Sequence, residues 1–484
     1  MTVQEAMESA LRHHQAGELS QAEAIYRNVL AQNPNHPDAL NLLGLLAHHA
    51  GKHEIAAGLI SRAIATAPAT PEFRYNLGLV YSSLGRWEEA IAAYQEAMRL
   101  RPDYAHAYNN LGILAFRFGQ PDKAEQLSRK AISLLPHYPE AYNNLSNALG
   151  ALGKYDEALQ ACRISLEQKP DFEEGHLNLG LLSLTLGDFP LGWAEYEWRW
   201  RVKQFGFASI EFDQPHWDGT ELNGRRILIH DEQAFGDTIQ FIRYVPMIQS
   251  RGGKVILACH PELLSLLRRM EGIEEAVAKK DAWPSFDVHC PLLSLPRVLG
   301  TTLDNIPART PYLFAEQQKT KKWADRLADD PGSFKVGLAW AGRNYPDPFR
   351  TIPVKHLAAL AGVGGVRWIS LQTGDAAKQA EIPAELKLTD NSAELNTFDD
   401  TAALIANLDL VITIDTAVAH LAGAMGKPTW VLLKSAADWR WLIARQDSPW
   451  YPTMRLFRQP RMGDWDAVVK VAANQLEPTI KGLK

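Results

Sequence analysis

Six glycines, Gly17, Gly51, Gly85, Gly119, Gly153 and Gly187, follow one another at a constant interval of 34 residues, so the first two fifths of the chain must fold as an array of like units. Other positions repeat in the same phase: Pro34, Pro68, Pro102, Pro136 and Pro170; Ala22, Ala56, Ala90, Ala124 and Ala158; and Gly44, Gly78, Gly112 and Gly180, with Ser146 in the remaining place. The pattern has a physical logic. Small residues at the alanine and first-glycine positions let two antiparallel helices approach closely. The second glycine takes the turn between them, and proline closes the unit because it cannot continue a helix.

A 34-residue period is the tetratricopeptide signature. No single repeat buries its own apolar face; stacking does, and the stack leaves a concave surface suited to binding another chain. A second series, Asn76, Asn110, Asn144 and Asn178, lies two residues before the first-helix glycine or its serine substitute and runs in one line along the array. A carboxamide offers one acceptor and two donors, enough to pair with the backbone of an extended peptide without reading its side chains. The same residues could instead bond the adjacent repeat. The series resembles the repeat domain of the O-GlcNAc transferases, which implies an acceptor polypeptide held along the asparagines.

With 484 residues the chain has room for about three domains. A net charge of −6 argues against a phosphate-backbone binder. The three cysteines, Cys162, Cys259 and Cys290, form no CxxC pair, so a disulfide framework or cysteine zinc site is not expected. The start of the sequence lacks a basic segment followed by an apolar one, and no run approaches the ~18 apolar residues that suggest a membrane span. The expectation is a cytoplasmic protein without a transmembrane segment.

The array decays after Gly187 into Gly192-Trp193-Ala194-Glu195-Tyr196-Glu197-Trp198-Arg199-Trp200-Arg201, read as a capping helix that docks on the next domain or as an aromatic patch for a partner. Beyond it, strand, loop and helix alternate: Arg226-Ile227-Leu228-Ile229-His230 and 254–258 are strands, with helices over 238–248 and 261–270. A break near Pro311 and a charged helix over 317–330 precede a second such series, with strands at 335–340, 367–371, 410–414 and 429–433. The expected division is a repeat solenoid over 1–205, a connector over 206–225, and two α/β halves with parallel sheets over 226–316 and 317–484. A cleft between two such halves is a natural ligand site.

Three stretches carry candidate chemistry. In the segment from Ile412 to Pro428 a strand ends in Asp415-Thr416 and turns at once into the small-residue helix Ala417-Val418-Ala419-His420, whose unpaired first N–H groups make an anion site. His420 lies on the same helical face as Thr416 and could touch a phosphate or ribose; alternatively Asp415 caps the helix and His420 is a core histidine. At the end of the first strand stands Asp231-Glu232-Gln233-Ala234-Phe235-Gly236-Asp237, where a carboxylate can take the proton of an attacking hydroxyl. Asp237 is the candidate base, with Glu232 as second choice, and capping of the following helix is the other role open to Asp237. The third stretch, Trp340 to Pro353, puts Arg343 and Arg350 on a loop near the cleft, where guanidinium groups can bind phosphate. Arg440, in Asp438-Trp439-Arg440-Trp441, is a further phosphate or sugar contact unless its tryptophans simply pack in the core.

These motifs resemble the heptosyltransferase-like branch of the GT-B glycosyltransferases over about 226–470, and the whole chain is similar to bacterial tetratricopeptide-repeat glycosyltransferases, a group that includes flagellin glycosyltransferases. In that pattern a Gly-Asp pair after the first strand supplies the base, matching Gly236-Asp237. An Asp-Thr-Gly-x-x-His turn grips the donor diphosphate, matching Asp415-Thr416-Ala417-Val418-Ala419-His420, with Ala417 in place of the turn glycine and still offering its N–H. Ala234 likewise stands where similar chains often carry glycine. The resemblance implies a tetratricopeptide solenoid followed by a GT-B enzyme of two Rossmann-like halves, inversion at the anomeric carbon, no metal and no cofactor, with a nucleotide-sugar as substrate. It further implies transfer to a hydroxyl of a protein, flagellin being one candidate, bound by the array. The alternatives are an acceptor glycan or lipid with the array used for recruitment, and a non-catalytic scaffold. The lack of a GxGxxG after any candidate first strand argues against a Rossmann dehydrogenase.

Overall fold

The computed structural model describes residues 2–202, 212–330, 332–343, 347–378 and 381–483. Two places named above, the 205/206 boundary and the loop residues Asn344, Tyr345 and Pro346, lie outside the described residues. The chain forms two compact units, Met1–Gly175 and His176–Lys484.

The first unit is built of antiparallel helix pairs: Val3–Gln15 with Leu19–Gln32, Pro37–His49 with His53–Thr66, Pro71–Ser83 with Trp87–Leu100, Ala105–Arg117 with Pro121–Leu134, and Pro139–Ala151 with Tyr155–Gln168. Gly17, Gly51, Gly85, Gly119 and Gly153 each stand in the turn inside a pair with φ between 69° and 77°, a conformation that costs any residue bearing a Cβ. The repeated alanines are at most 2% exposed. A Cβ at Gly44 would lie 2.6 Å from Ile60 Cγ1, and one at Gly78 would lie 2.5 Å from Tyr94 Cε1. The spacing read from the sequence is therefore a spacing of close helix contacts.

The asparagine series is tied into the array itself. Asn76 donates to the side-chain oxygen of Asn41 at 3.0 Å, Asn110 to the Tyr75 hydroxyl at 3.1 Å and Asn144 to the Asn109 side-chain oxygen at 2.8 Å. Each bond crosses from one repeat to the one before it. One N–H of each of these three half-buried amides is thus used to join repeats, the second of the two roles their spacing allowed.

In the second unit, helix Phe189–Tyr196 and the 3-10 turn Glu197–Trp200 lead toward the α/β region. Trp193 packs edge-on against Trp439 and Phe241, with ring centroids 5.2 and 6.2 Å apart, so it belongs to the core of this unit. Trp198 stacks on His176 at 3.9 Å. The first sheet has strands β1 (Arg226–His230), β2 (Lys254–Cys259), β3 (Ile273–Ala278) and β4 (Val288–Pro291) in the order β3-β2-β1-β4, all parallel. The second has β5 (Phe334–Ala339), β6 (Val366–Ser370), β7 (Leu410–Ile414), β8 (Thr429–Leu433) and β9 (Met454–Arg458) in the order β6-β5-β7-β8-β9, again all parallel. A parallel sheet is covered on both faces, which is why β7 is buried at every position and reads as an unbroken apolar run. The region is consistent with a GT-B organisation.

The helix expected over 238–248 is instead three pieces, Phe235–Phe241, Ile242–Tyr244 and Val245–Gln249. It starts three residues earlier, and Pro246, which has no N–H to give, sits just inside the last piece. Asp237 therefore lies within the first turn and not before it. Strands β3, β4 and β9 lie outside the sequence reading.

Candidate functional site

Helices Phe235–Phe241 and Ala417–Ala424 follow β1 and β7 directly and are in contact with each other. The approach is close because residue 236 is glycine: a Cβ there would lie 2.8 Å from His420 Cδ2 and 3.6 Å from Ala417 Cα. The loops at the carboxyl ends of the two central strands consequently converge, and with them Asp237 and the Asp415–Thr416 turn.

The start of the 417–424 helix is open. Its N-cap, Thr416, is in extended conformation at φ −145° and ψ 171°, and no side chain caps the first turn. Residues 415–418 are only half-buried. Beside this turn Arg350 donates from Nη1 to the Asp415 carbonyl at 3.3 Å and from Nη2 to the Arg343 carbonyl at 3.2 Å, while its buried Nε has no partner. Gly342 makes room for that guanidinium, since a Cβ there would lie 2.8 Å from Nε. An unsatisfied guanidinium N–H beside free helix amides is the donor set an anion requires. Arg343 is exposed and stands over the Phe235 ring, 5.3 Å from its centroid, reaching the helix of the first half.

Arg350 and Asp415 line a small recess, partly open to solvent, together with Asp347, Leu432, Leu433, Lys434, Ala437 and Asp438. Lys434 and Asp347 form an ion pair across it at 2.5 Å. Burial, and then the neighbouring Asp438 carboxylate, push the Asp415 carboxyl up to about 6, against the pull of Arg440 and Arg350. A carboxyl in such a place can accept from, or donate to, a ligand hydroxyl.

Asp237 accepts from the Ala234 N–H at 2.9 Å through Oδ2 and from Arg440 Nη2 through Oδ1. It thus does cap its helix, from inside the first turn. Burial raises its pKa above the ordinary aspartate value, with the Arg440 charge opposing the shift. Arg440 also donates to Gln240 Oε1 at 2.7 Å and Asp438 Oδ1 at 2.9 Å.

Two expected site residues turn inward. Glu232 has a side chain 2% exposed and is held bidentately by Arg199 at 2.7 and 3.0 Å, with a third bond from the Leu293 N–H. Those bonds and its enclosure take it out of reach of an acceptor hydroxyl. His420 is 4% exposed, its Nδ1 lies 3.0 Å from the Tyr451 hydroxyl and its ring stacks on Trp441 at 5.5 Å. Burial, then the positive charge of Arg440, drive its pKa well below the usual imidazole value, so it is a neutral histidine packed in the core. Among the described residues no group of three or more His, Cys, Asp or Glu side chains is placed to hold a metal ion.

The tetratricopeptide repeat family matches residues 70–136 and 115–182, the anaphase-promoting complex subunit 3 family matches 15–97, and glycosyltransferase family 9 (heptosyltransferase) matches 368–441. The chain carries tetratricopeptide repeats and a glycosyltransferase family 9 domain. That match contains Asp415, Thr416, Ala417, His420 and Arg440, whereas Asp237, Arg343 and Arg350 lie before it. A curated relative, protein FlbA of Caulobacter vibrioides, is 27% identical over 320 residues, 61% of this chain and 53% of FlbA, so the chain spans about half the length of that relative. Among solved structures, MamA is 28% identical, covering 33% of this chain and 94% of its own with a TM-score of 0.31. PilF of Pseudomonas aeruginosa is 20% identical, covering 42% and 92% with a TM-score of 0.38. No helix among the described residues is long and apolar enough to cross a membrane.

Within the glycosyltransferase domain, sequence reasoning missed Lys434 and Asp438 as recess residues. Lys434 follows the last residue of β8, so the strand-end rule that picked out Asp237 and Asp415 also points to it.

Proposed function

We propose that the chain transfers a sugar from a nucleotide-sugar to a hydroxyl of a protein bound by the repeats, with flagellin as a candidate acceptor. The observation that carries this reading is the open start of the 417–424 helix beside the unpartnered Arg350 Nε, on a helix packed against that of Asp237. In the reaction Asp237 takes the acceptor hydroxyl proton and the hydroxyl oxygen bonds to the anomeric carbon. The bond from that carbon to the diphosphate breaks, with its electron pair leaving on the diphosphate and inversion at carbon. The departing charge is met by the Ala417 and Val418 amides and by Arg350, with Arg343 at the rim. Asp415 and Asp438, which line the recess, bond donor hydroxyls. No step calls on a metal.

A second reading, transfer to a glycan or lipid with the array used for recruitment, is favoured by one observation: Asn76, Asn110 and Asn144 already bond the preceding repeat. Thermal shift with UDP, GDP, ADP and CMP tests the donor site, because a ligand that binds only the folded state raises its melting temperature. One of the four should do so in the wild type and much less in Arg350→Ala; no shift with any of them contradicts the donor site. Loss of transfer to protein in Asn110→Ala/Asn144→Ala, with donor hydrolysis retained, separates the first reading from the second.

A further inference from the structure

Both oxygens of the proposed base are engaged: Asp237 Oδ2 by the Ala234 N–H and Oδ1 by Arg440. Arg440 is 7% exposed, yet it links two places, since Asp438, its other carboxylate partner at 2.9 Å, lines the recess together with Asp415 and Arg350. A continuous line of contacts runs from the recess wall through Arg440 to the base. Two carboxylates, those of Asp237 and Asp438, share the one Arg440 guanidinium, and Arg440 and Arg350 both act electrostatically on the Asp415 carboxyl at the recess wall.

We propose that Arg440 couples the donor recess to the base: binding of the donor diphosphate draws its guanidinium from Asp237, which frees Asp237 Oδ1 for the acceptor hydroxyl. This rests on the donor site described under the proposed function. Arg440 is in this sense a positioning residue, acting on the reaction through Asp237. Coupling of this kind is reciprocal, so whatever loosens Arg440 from Asp237 must tighten diphosphate binding. The aspartate waits in an ion pair and becomes a free, more basic carboxylate only beside a loaded donor site.

The test is calorimetric titration with inorganic pyrophosphate, and with whichever of UDP, GDP, ADP and CMP binds, against the full chain. Asp237→Asn should bind about tenfold more tightly than the wild type, within the range usual for coupled sites. In the Arg440→Gln background the same substitution should change affinity less than twofold. Asp237→Ser, which removes the same charge, serves if the asparagine variant lacks a cooperative melting transition. No tightening, or a tightening that persists without Arg440 and so reflects only the lost negative charge, overturns the inference while leaving the donor site intact. Failure of every probe to bind, or binding indifferent to Arg350→Ala, overturns the donor site itself and the inference with it.

Discussion

The helix that follows β1 and the helix that follows β7 arise from the same strand–loop–helix unit, but one begins closed and the other open. The 235–241 helix is closed from within, its Ala234 N–H taken by Asp237 and that carboxylate held by Arg440. The 417–424 helix has no side-chain cap, and the nearest guanidinium keeps an unused N–H. The contrast teaches how one architectural unit presents opposite groups at two strand ends: a bonded carboxylate at one, and bare amides at the other.

The largest effect should come from removing the carboxylate at the closed end. Asp237→Asn is expected to lower sugar transfer by about 10²–10⁴-fold, the usual contribution of a general base, while Asp438 still pairs Arg440 and melting stays cooperative. Because the carboxylate is the active form and burial raises its pKa, kcat/KM should fall on acidification at a pH above the ordinary aspartate range near ~3.9. Transfer within a few-fold of wild type would remove the base from this end. At the open end, Arg350→Ala should weaken nucleoside diphosphate binding about ten- to a hundredfold by titration, the loss of charge-assisted hydrogen bonds. Unchanged affinity would mean that the open end receives nothing.

The contact between the two ends comes next. Gly236→Ala places a methyl group against His420 and should cost about 1–3 kcal/mol, read as a lower melting temperature. A neutral result would show that the helices can separate without loss. Asp415 offers a smaller pH effect. Its carboxyl is pushed up to about 6 in the folded state, so between about pH 4 and that value the folded chain binds more protons than the unfolded one. Its contribution to stability should therefore decline as pH rises through that window. Asp415→Asn should flatten the corresponding part of the melting-temperature profile; an unaltered profile contradicts the assignment. The smallest effect lies away from the site: Asn144→Ala should cost about 1 kcal/mol, the worth of its bond to Asn109.

The repeats were readable in advance because every unit meets the same constraint. Gly17 to Gly153 adopt positive φ and the Gly44 and Gly78 positions touch the facing helix, so residue identity and spacing carry the structure directly. The central strands were readable too, since a strand buried on both faces is an apolar run. The sequence reading left out β3, which is mostly exposed or half-buried and carries Glu274 and Glu275, and β4, only four residues long. In the site, strand ends pointed to Asp237, Asp415 and Arg350, but residue type could not tell an open position from an enclosed one. Glu232 is enclosed by Arg199, 33 residues earlier, and His420 by Tyr451, 31 residues later. Such pairings depend on the packing of separate segments and leave no local pattern.

A crystal structure of the chain with the nucleoside diphosphate that stabilises it would address the open helix end most directly. The phosphate oxygens should lie within hydrogen-bond distance of the Ala417 and Val418 N–H groups and of the Arg350 guanidinium. A diphosphate bound elsewhere, with the first turn of the 417–424 helix left to solvent, would contradict the account.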